Sequence, residues 1–278
     1  MKCFNIIILL LSVYCQLSSS VPALPVPTGR YCTTAYCRQR NLACNNKGNI
    51  TSGCYSGAKF VLMGKYRQTI SKAFNTFRNK VASGDDYKNL QSAARMATMV
   101  WSEELEHFAK LDVARCHLSP KMCMSSPNFY YIGVISEQFS YGGYAVDRSN
   151  FVIIKSLIES WGKEVLSIRR LDTLHLPYDL ARRNIYKTTL LLNERNSHFG
   201  CAALRYSHEL YHHFLLSCAF ATDNLVNERI YQWSARPAAR CRRPDRLYKS
   251  LCAPGENYNN HKMVKGHRTF LRSLQEDF

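Results

Sequence analysis

Beyond its first two dozen residues the sequence lacks any apolar run near the ~20 residues that a helix needs to span a bilayer. It therefore does not read as a transmembrane protein. CxxC pairs are missing too, since the closest cysteine spacings are Cys32-x4-Cys37, Cys37-x6-Cys44 and Cys116-x6-Cys123, which disfavours structural zinc. No G-x-S-x-G elbow, Walker loop or Rossmann glycine fingerprint occurs, so three large enzyme classes have no support. Acids are scarce. Against 37 Lys and Arg stand 20 Asp and Glu, a net charge of +17. That imbalance favours acidic partners such as glycosaminoglycan or anionic lipid.

What is present at the N-terminus is Lys2, the apolar run Ile6-Ile7-Ile8-Leu9-Leu10-Leu11 and then Ser18-Ser19-Ser20. A positive start, a short apolar stretch and small residues predict a signal peptide over 1–20, with cleavage after Ser20 or as late as Ala23. The expected location is secreted and extracellular, which makes nucleic acid an unexpected partner. Of twelve cysteines, Cys3 and Cys15 fall in this segment. The rest are Cys32, Cys37, Cys44, Cys54, Cys116, Cys123, Cys201, Cys218, Cys241 and Cys252, an even set that reads as a disulfide framework. Asn49-Ile50-Thr51 is the one sequon and makes Asn49 a glycosylation candidate. At 46% hydrophobic and 12% aromatic, the chain can also build a sizeable core.

Residues 24–58, rich in Pro, Gly, Asn and Cys, predict an irregular, cystine-tied segment. Between Val61 and Ala82 the residues Ile70, Phe74, Phe77 and Val81 recur at helical spacing, and Gly84 is a natural stop. Ser102 suits the N-cap of a helix carrying Leu105, Phe108, Ala109, Val113 and Ala114. Phe151, Ile154, Leu157, Ile158 and Trp161 mark another. After Pro177 the stretches Thr188–Leu192, Cys201–Tyr206 and Phe214–Ala221 read as strands. Helices first and strands later predict an α+β domain over 59–235. A basic extension covers 236–278, with Arg236, Arg240, Arg242, Arg243, Arg246 and Lys249 around a small Cys241–Cys252 loop, and the stretch from Asn257 is expected to be mobile.

Phe74-Asn75-x-x-Arg78-Asn79-x-Val81-Ala82-x-Gly84 and Ala94-x-Met96-x-x-Met99-x-Trp101-x-x-Glu104-Leu105 resemble two helix signatures of the CAP superfamily, which includes cysteine-rich secretory proteins, insect antigen 5 allergens and pathogenesis-related proteins. Phe199-Gly200-Cys201-Ala202 and Cys218-x-Phe220-Ala221 resemble its strand motifs, and the four N-terminal cysteines are similar to the insect antigen 5 branch. The resemblance implies a three-layer α-β-α sandwich. It also implies the pairs Cys32–Cys44, Cys37–Cys123, Cys54–Cys116 and Cys201–Cys218, with Cys241–Cys252 as an extra.

Members of the family can hold a divalent metal between two His and two Glu. The matching positions here are Pro120, Val134, Glu164 and Lys187, so one of four ligands survives and no metal or other cofactor is expected. Glu164 is expected to pair with Lys187 instead. A second motif, His208-Glu209-Leu210-Tyr211-His212, matches the HExxH of zinc proteases, which needs both His on one helical face. Strand-like sequence on both sides predicts a hairpin turn. The aromatics Tyr130, Tyr131, Phe139, Tyr141 and Tyr144, among Gly133, Gly142 and Gly143, could line a groove or simply pack.

These readings converge on a non-enzymatic protein that binds an extracellular protein or receptor in venom, saliva, haemolymph or a reproductive fluid. A sterol or fatty-acid carrier is the alternative. Adhesion to glycosaminoglycan through the basic extension is a third reading, and a zinc protease through HExxH is a remote one.

Overall fold

The computed structural model describes residues 28–266 and Thr269. The expected signal peptide with Cys3 and Cys15, and the last residues from 270, lie outside the described residues. In chain order the elements are β1 (Lys59–Val61), α1 (Arg67–Ser83), β2 (Val100–Trp101), α2 (Glu103–Val113), β3 (Gly133–Gly142), α3 (Asn150–Lys163), α4 (Arg170–Leu174), α5 (Tyr186–Leu192), β4 (His198–His208) and β5 (Tyr211–Phe220). The sheet runs β1-β4-β5-β3, and β2 adds a short parallel pairing to β4. Neighbours on the main path are antiparallel, with Cys201 directly opposite Cys218 in the β4–β5 hairpin.

Consecutive residues of β4, from Phe199 to Leu204, are all buried. Such a continuous apolar run signals a strand covered on both faces. One face carries α1, α3 and α5, where Phe74 meets Phe199 and Phe220 at ring separations of 5.0 and 5.8 Å. The other carries α2, whose Leu105 and Phe108 pack with Leu204 and Leu215. The result is an α-β-α sandwich with two core layers.

Local chemistry sets the helix ends. Gly84 closes α1 at φ 82°, and a Cβ there would lie 2.6 Å from the Ser92 amide nitrogen. The Ser102 hydroxyl accepts from the Leu105 amide, and Glu103, Glu104 and Glu106 place negative charge at the positive end of α2. Gly200 has a stricter role. A Cβ at this point of β4 would sit 2.0 Å from the Glu106 nitrogen and 2.6 Å from the Ser102 carbonyl oxygen, so the α2 backbone lies directly on the strand. Arg78 of α1 is fully buried and donates to the Ala97, Leu191 and Asn193 carbonyls, joining α1 to the loop before β2 and the end of α5.

Five disulfides join Cys32–Cys44, Cys37–Cys123, Cys54–Cys116, Cys201–Cys218 and Cys241–Cys252. The first staples residues 28–58 internally, and the next two tie this segment onto the α2 face, where Tyr31, Leu42 and Ala43 are buried. In the chain-entropy description, closing the 62-residue Cys54–Cys116 separation contributes about 4 kcal/mol. Asn49 is exposed in this segment.

Three expectations need correction. Thr188–Leu192 is not a strand; it forms most of α5. Two threonines and three leucines, all buried, form a run too short and too uniformly covered for periodicity to separate strand from helix. Its first amides are capped from afar, because the Glu164 carboxylate accepts from Lys187 N and Thr188 N at 2.9 and 3.1 Å. The order of helices first and strands later fails too, because 133–142, which carries Phe139 and Tyr141, is strand β3 ahead of α3; Tyr141 packs in the core while Tyr144 is 79% exposed. Finally, the stretch from Asn257 is fixed at its start. Tyr258 lies under the Arg95 guanidinium at 4.3 Å and donates to the Arg95 carbonyl, and Asn260 donates to the Arg195 carbonyl.

Replacing Arg78 by Met strips charged donors from three backbone carbonyls. The expected loss is about 3 kcal/mol or more in guanidinium denaturation; a loss below about 1 kcal/mol would show the cation to be dispensable.

Candidate functional site: a cleft filled by lysine

Between β3, the end of α3 and the start of α5 lies a cluster of ionisable groups. Alternation along β3 sends Val134 and Ser136 toward α2, and Ile135 and Glu137 toward α3 and α5. Glu137 Oε2 accepts from Trp161 Nε1 at 2.6 Å and from Lys187 Nζ at 2.8 Å. The Lys187 ammonium lies 3.9 Å from Glu164 Oε1. Glu164 therefore does two jobs: it faces the lysine and caps α5. Burial raises its pKa above the ordinary carboxylate value, against the opposing pull of the Thr188 amide, the Lys187 charge and the Lys187 amide.

A second lysine enters from the loop after Cys116. Half-buried Lys121 donates to the Val134 carbonyl at 3.2 Å, and its ammonium rests 3.4 Å from the centre of the Tyr186 ring. The Tyr186 hydroxyl donates to that same carbonyl at 3.1 Å and reaches toward Asp223 at 3.5 Å. Desolvation lowers the Lys121 pKa to about 8, with Asp223 as the largest opposing influence. Desolvation likewise raises the Asp223 carboxyl to about 6, against the attraction of Lys121.

These residues do not fit a divalent metal. Proline at 120 has no side-chain donor, Val134 is an apolar side chain buried on the α2 side of the sheet, and Lys187 brings a cation. Two ammonium groups with satisfied contacts fill the cleft. Of its participants, sequence reasoning singled out Glu164 and Lys187 and missed Lys121, Glu137, Tyr186 and Asp223; the side chains of Pro120 and Val134, matched to ligand positions by resemblance, bring no donor to it. Period-two alternation from Ile135 could have exposed Glu137. Asp223 follows the end of β5, and nothing in its neighbourhood announces a buried acid.

The HExxH residues are not brought together. His208 ends β4 and Tyr211 opens β5, with Glu209 in the turn at φ 52°. Ser207 and His212 are directly opposed and share a face, so His208 projects from the other one. His208 stacks on Tyr55 at 3.8 Å, while both His212 ring nitrogens are engaged, by Ser207 at 2.7 Å and the Gly143 carbonyl at 3.0 Å. Among the described residues, Cys241, Cys252 and Glu256 form the one group of three metal-type donors in close reach, and there both sulfurs belong to a disulfide.

A separate groove of about 510 Å³ opens at the β1 edge. Phe60, Val61, Leu62 and Val146 supply apolar lining, and Lys65 and Arg205 supply charge.

Residues 72–220 match the family model of the CAP group, the cysteine-rich secretory protein family. The chain belongs to this family. It is 26% identical over 231 residues to Venom allergen-1 of Aedes aegypti, covering 81% of this chain and 88% of the relative. With the antigen 5 like allergen Cul n 1 of Culicoides nubeculosus it shares 29% identity over 192 residues, 65% of this chain and 85% of the other. Among solved structures, NaASP2 with Zn2+ has the same fold at TM-score 0.54 and 20% identity, over 72% of this chain and 100% of that one. BmVAL-1 gives 0.55 and 18%, over 70% and 97%. This CAP protein is thus antigen 5-like, with the α-β-α architecture of the family.

Two outcomes follow from the cleft. Lys187→Met is expected to cost about 2 kcal/mol, and a double-mutant cycle with Glu137→Gln should show coupling between the pair; full additivity would contradict the contact. Asp223 binds a proton in the folded state between about pH 6 and its ordinary value of 3.8, where the unfolded chain does not. An acid with a raised folded pKa favours folding increasingly as pH falls through that window. Compared with Asp223→Asn, the wild-type protein should gain relative stability on acidification there, measured by denaturant midpoints at each pH.

Proposed function

We propose that the protein is secreted and acts without catalysis, by binding a partner in an extracellular fluid. The observation that carries this reading is the cleft itself. Lys187 spans the two carboxylates, Glu137 and Glu164, so no water-activating metal is supported. The HExxH residues, the other catalytic candidate, point to opposite faces of a hairpin. Secretion is supported by the signal-like N-terminus and by five cystines, which persist in oxidising compartments. Relatives named as venom allergen and antigen 5 like allergen agree with an exported product. In this reading 1–20 is the signal peptide, 24–58 the cystine-tied segment, 59–235 the CAP domain and 236–278 its basic extension, with Asn49 available to a glycan.

The decisive experiment captures partners by cross-linking from extracellular fluid of the source tissue, with and without a chelator. Capture unchanged by chelation, together with no zinc-dependent shift in melting temperature, is the expected result. Capture that requires zinc, or hydrolysis of a substrate that Glu209→Gln abolishes, would overturn the reading.

The groove at the β1 edge favours one second reading, a fatty-acid or sterol carrier. Its volume lies in the range typical of small-molecule sites, and cations beside an apolar wall suit a carboxylate with a hydrocarbon chain. Organic extraction of the purified protein followed by mass spectrometry should then yield a stoichiometric lipid that Leu62→Asp removes.

A further inference from the structure

We propose that the Cys241–Cys252 loop is a preformed site for a linear sulfated polysaccharide. The proposal rests on the extracellular, non-catalytic reading above and names a partner class for it. Arg236, Arg240, Arg242, Arg243, Arg246 and Lys249 are all exposed. Among the described residues, none of these side chains makes an ion pair or hydrogen bond. Elsewhere on the surface, cations such as Lys80 and Lys155 have acidic neighbours, Asp86 at 3.5 Å and Glu159 at 3.8 Å. Here the nearby acids are already committed. Asp245 accepts from the Thr98 hydroxyl and from the Leu247 and Tyr248 amides, and Glu256 accepts from Arg95 Nε at 3.0 Å and from the Arg242 backbone.

The loop is held as a plate. The cystine brings the two Cα atoms to 5.1 Å, Pro244 bridges Cys252, and the Ala253 amide donates to the Arg243 carbonyl at 2.9 Å. Its base is bonded to the core: Arg240 N to Ala94 O at 2.9 Å, Cys252 N to Met96 O at 2.8 Å, and Thr98 N to Cys252 O at 3.0 Å. Leu251 is fully buried and anchors the centre. A fixed backbone has little ordering entropy left to lose on binding. Arginine supplies five of the six cations, and a guanidinium fork can give two parallel hydrogen bonds to one sulfo group where an ammonium acts as a point charge. Leu247 is the loop's one exposed large apolar side chain, too little for a bilayer-inserting surface.

The test uses the secreted full-length chain, heparin oligosaccharide as probe, and two triple variants. Arg242→Gln/Arg243→Gln/Arg246→Gln alters the plate. Lys47→Gln/Lys72→Gln/Lys88→Gln alters three exposed cations elsewhere, so both triples lower the net charge by three. The plate variant should raise Kd about tenfold or more and flatten its salt dependence, and the control should change it less than about twofold. Unchanged melting temperatures would confirm folded variants. Equal losses in both triples, undiminished binding of desulfated heparin, or binding to phosphatidylserine vesicles but not to heparin would each overturn the site. Metal-independent capture of a partner is measured separately, so failure here is distinguishable from failure of the non-catalytic reading.

Discussion

Strand β4 is paired on both edges and covered on both faces, and the layers on either side are positioned by it. Its contact with α2 is closest at Gly200, where the strand and helix backbones leave no room for a Cβ. On the opposite face Phe199 locks against Phe74 of α1 and Trp101. The cystine to Cys218 keeps β5 in register with it. A slip of one residue would send every buried side chain of the strand to the wrong layer and place a side chain at the helix crossing.

In the cleft, ion pairs and hydrogen bonds hold separate elements together. Here the Lys187 ammonium joins β3 to α5 through Glu137, and Glu164 joins α3 to α5 by accepting from two amides. An ammonium offers no open coordination position at which a water could be activated. Lys121 and Asp223 extend the same logic deeper, each holding the other's charge in a place where burial opposes it.

With the interior committed to structure, the cystines hold parts of the surface still. Two bridges fasten the N-terminal segment to the α2 layer, a third closes it on itself, and the last closes a strongly basic loop beside Met96 and Thr98. The charge excess seen in composition is therefore partly organised. Four cations, Arg242, Arg243, Arg246 and Lys249, lie within that cystine loop and Arg236 and Arg240 on its approach, while the neighbouring acids are engaged elsewhere.

Much of this was legible in the residues. The spacing of Ile70, Phe74 and Val81 determined a buried helix face, Ser102 its neighbour's start, and the even cysteine set a disulfide framework. Proline, valine and lysine at three metal positions determined that those side chains cannot coordinate an ion, because donor chemistry belongs to the residue and needs no fold to be known. What only the tertiary structure decided were relations between distant segments. Thr188–Leu192 became a helix because Glu164, more than twenty positions earlier, satisfies its first amides. Lys187 took Glu137 as its nearest acid because two elements set them face to face. His208 and His212, four apart and alike in sequence, were separated onto opposite sides of a sheet by one turn. Local pattern specifies what a segment can do alone; long-range hydrogen bonds and burial choose among those options, and these depend on neighbours that the chain brings close only when folded.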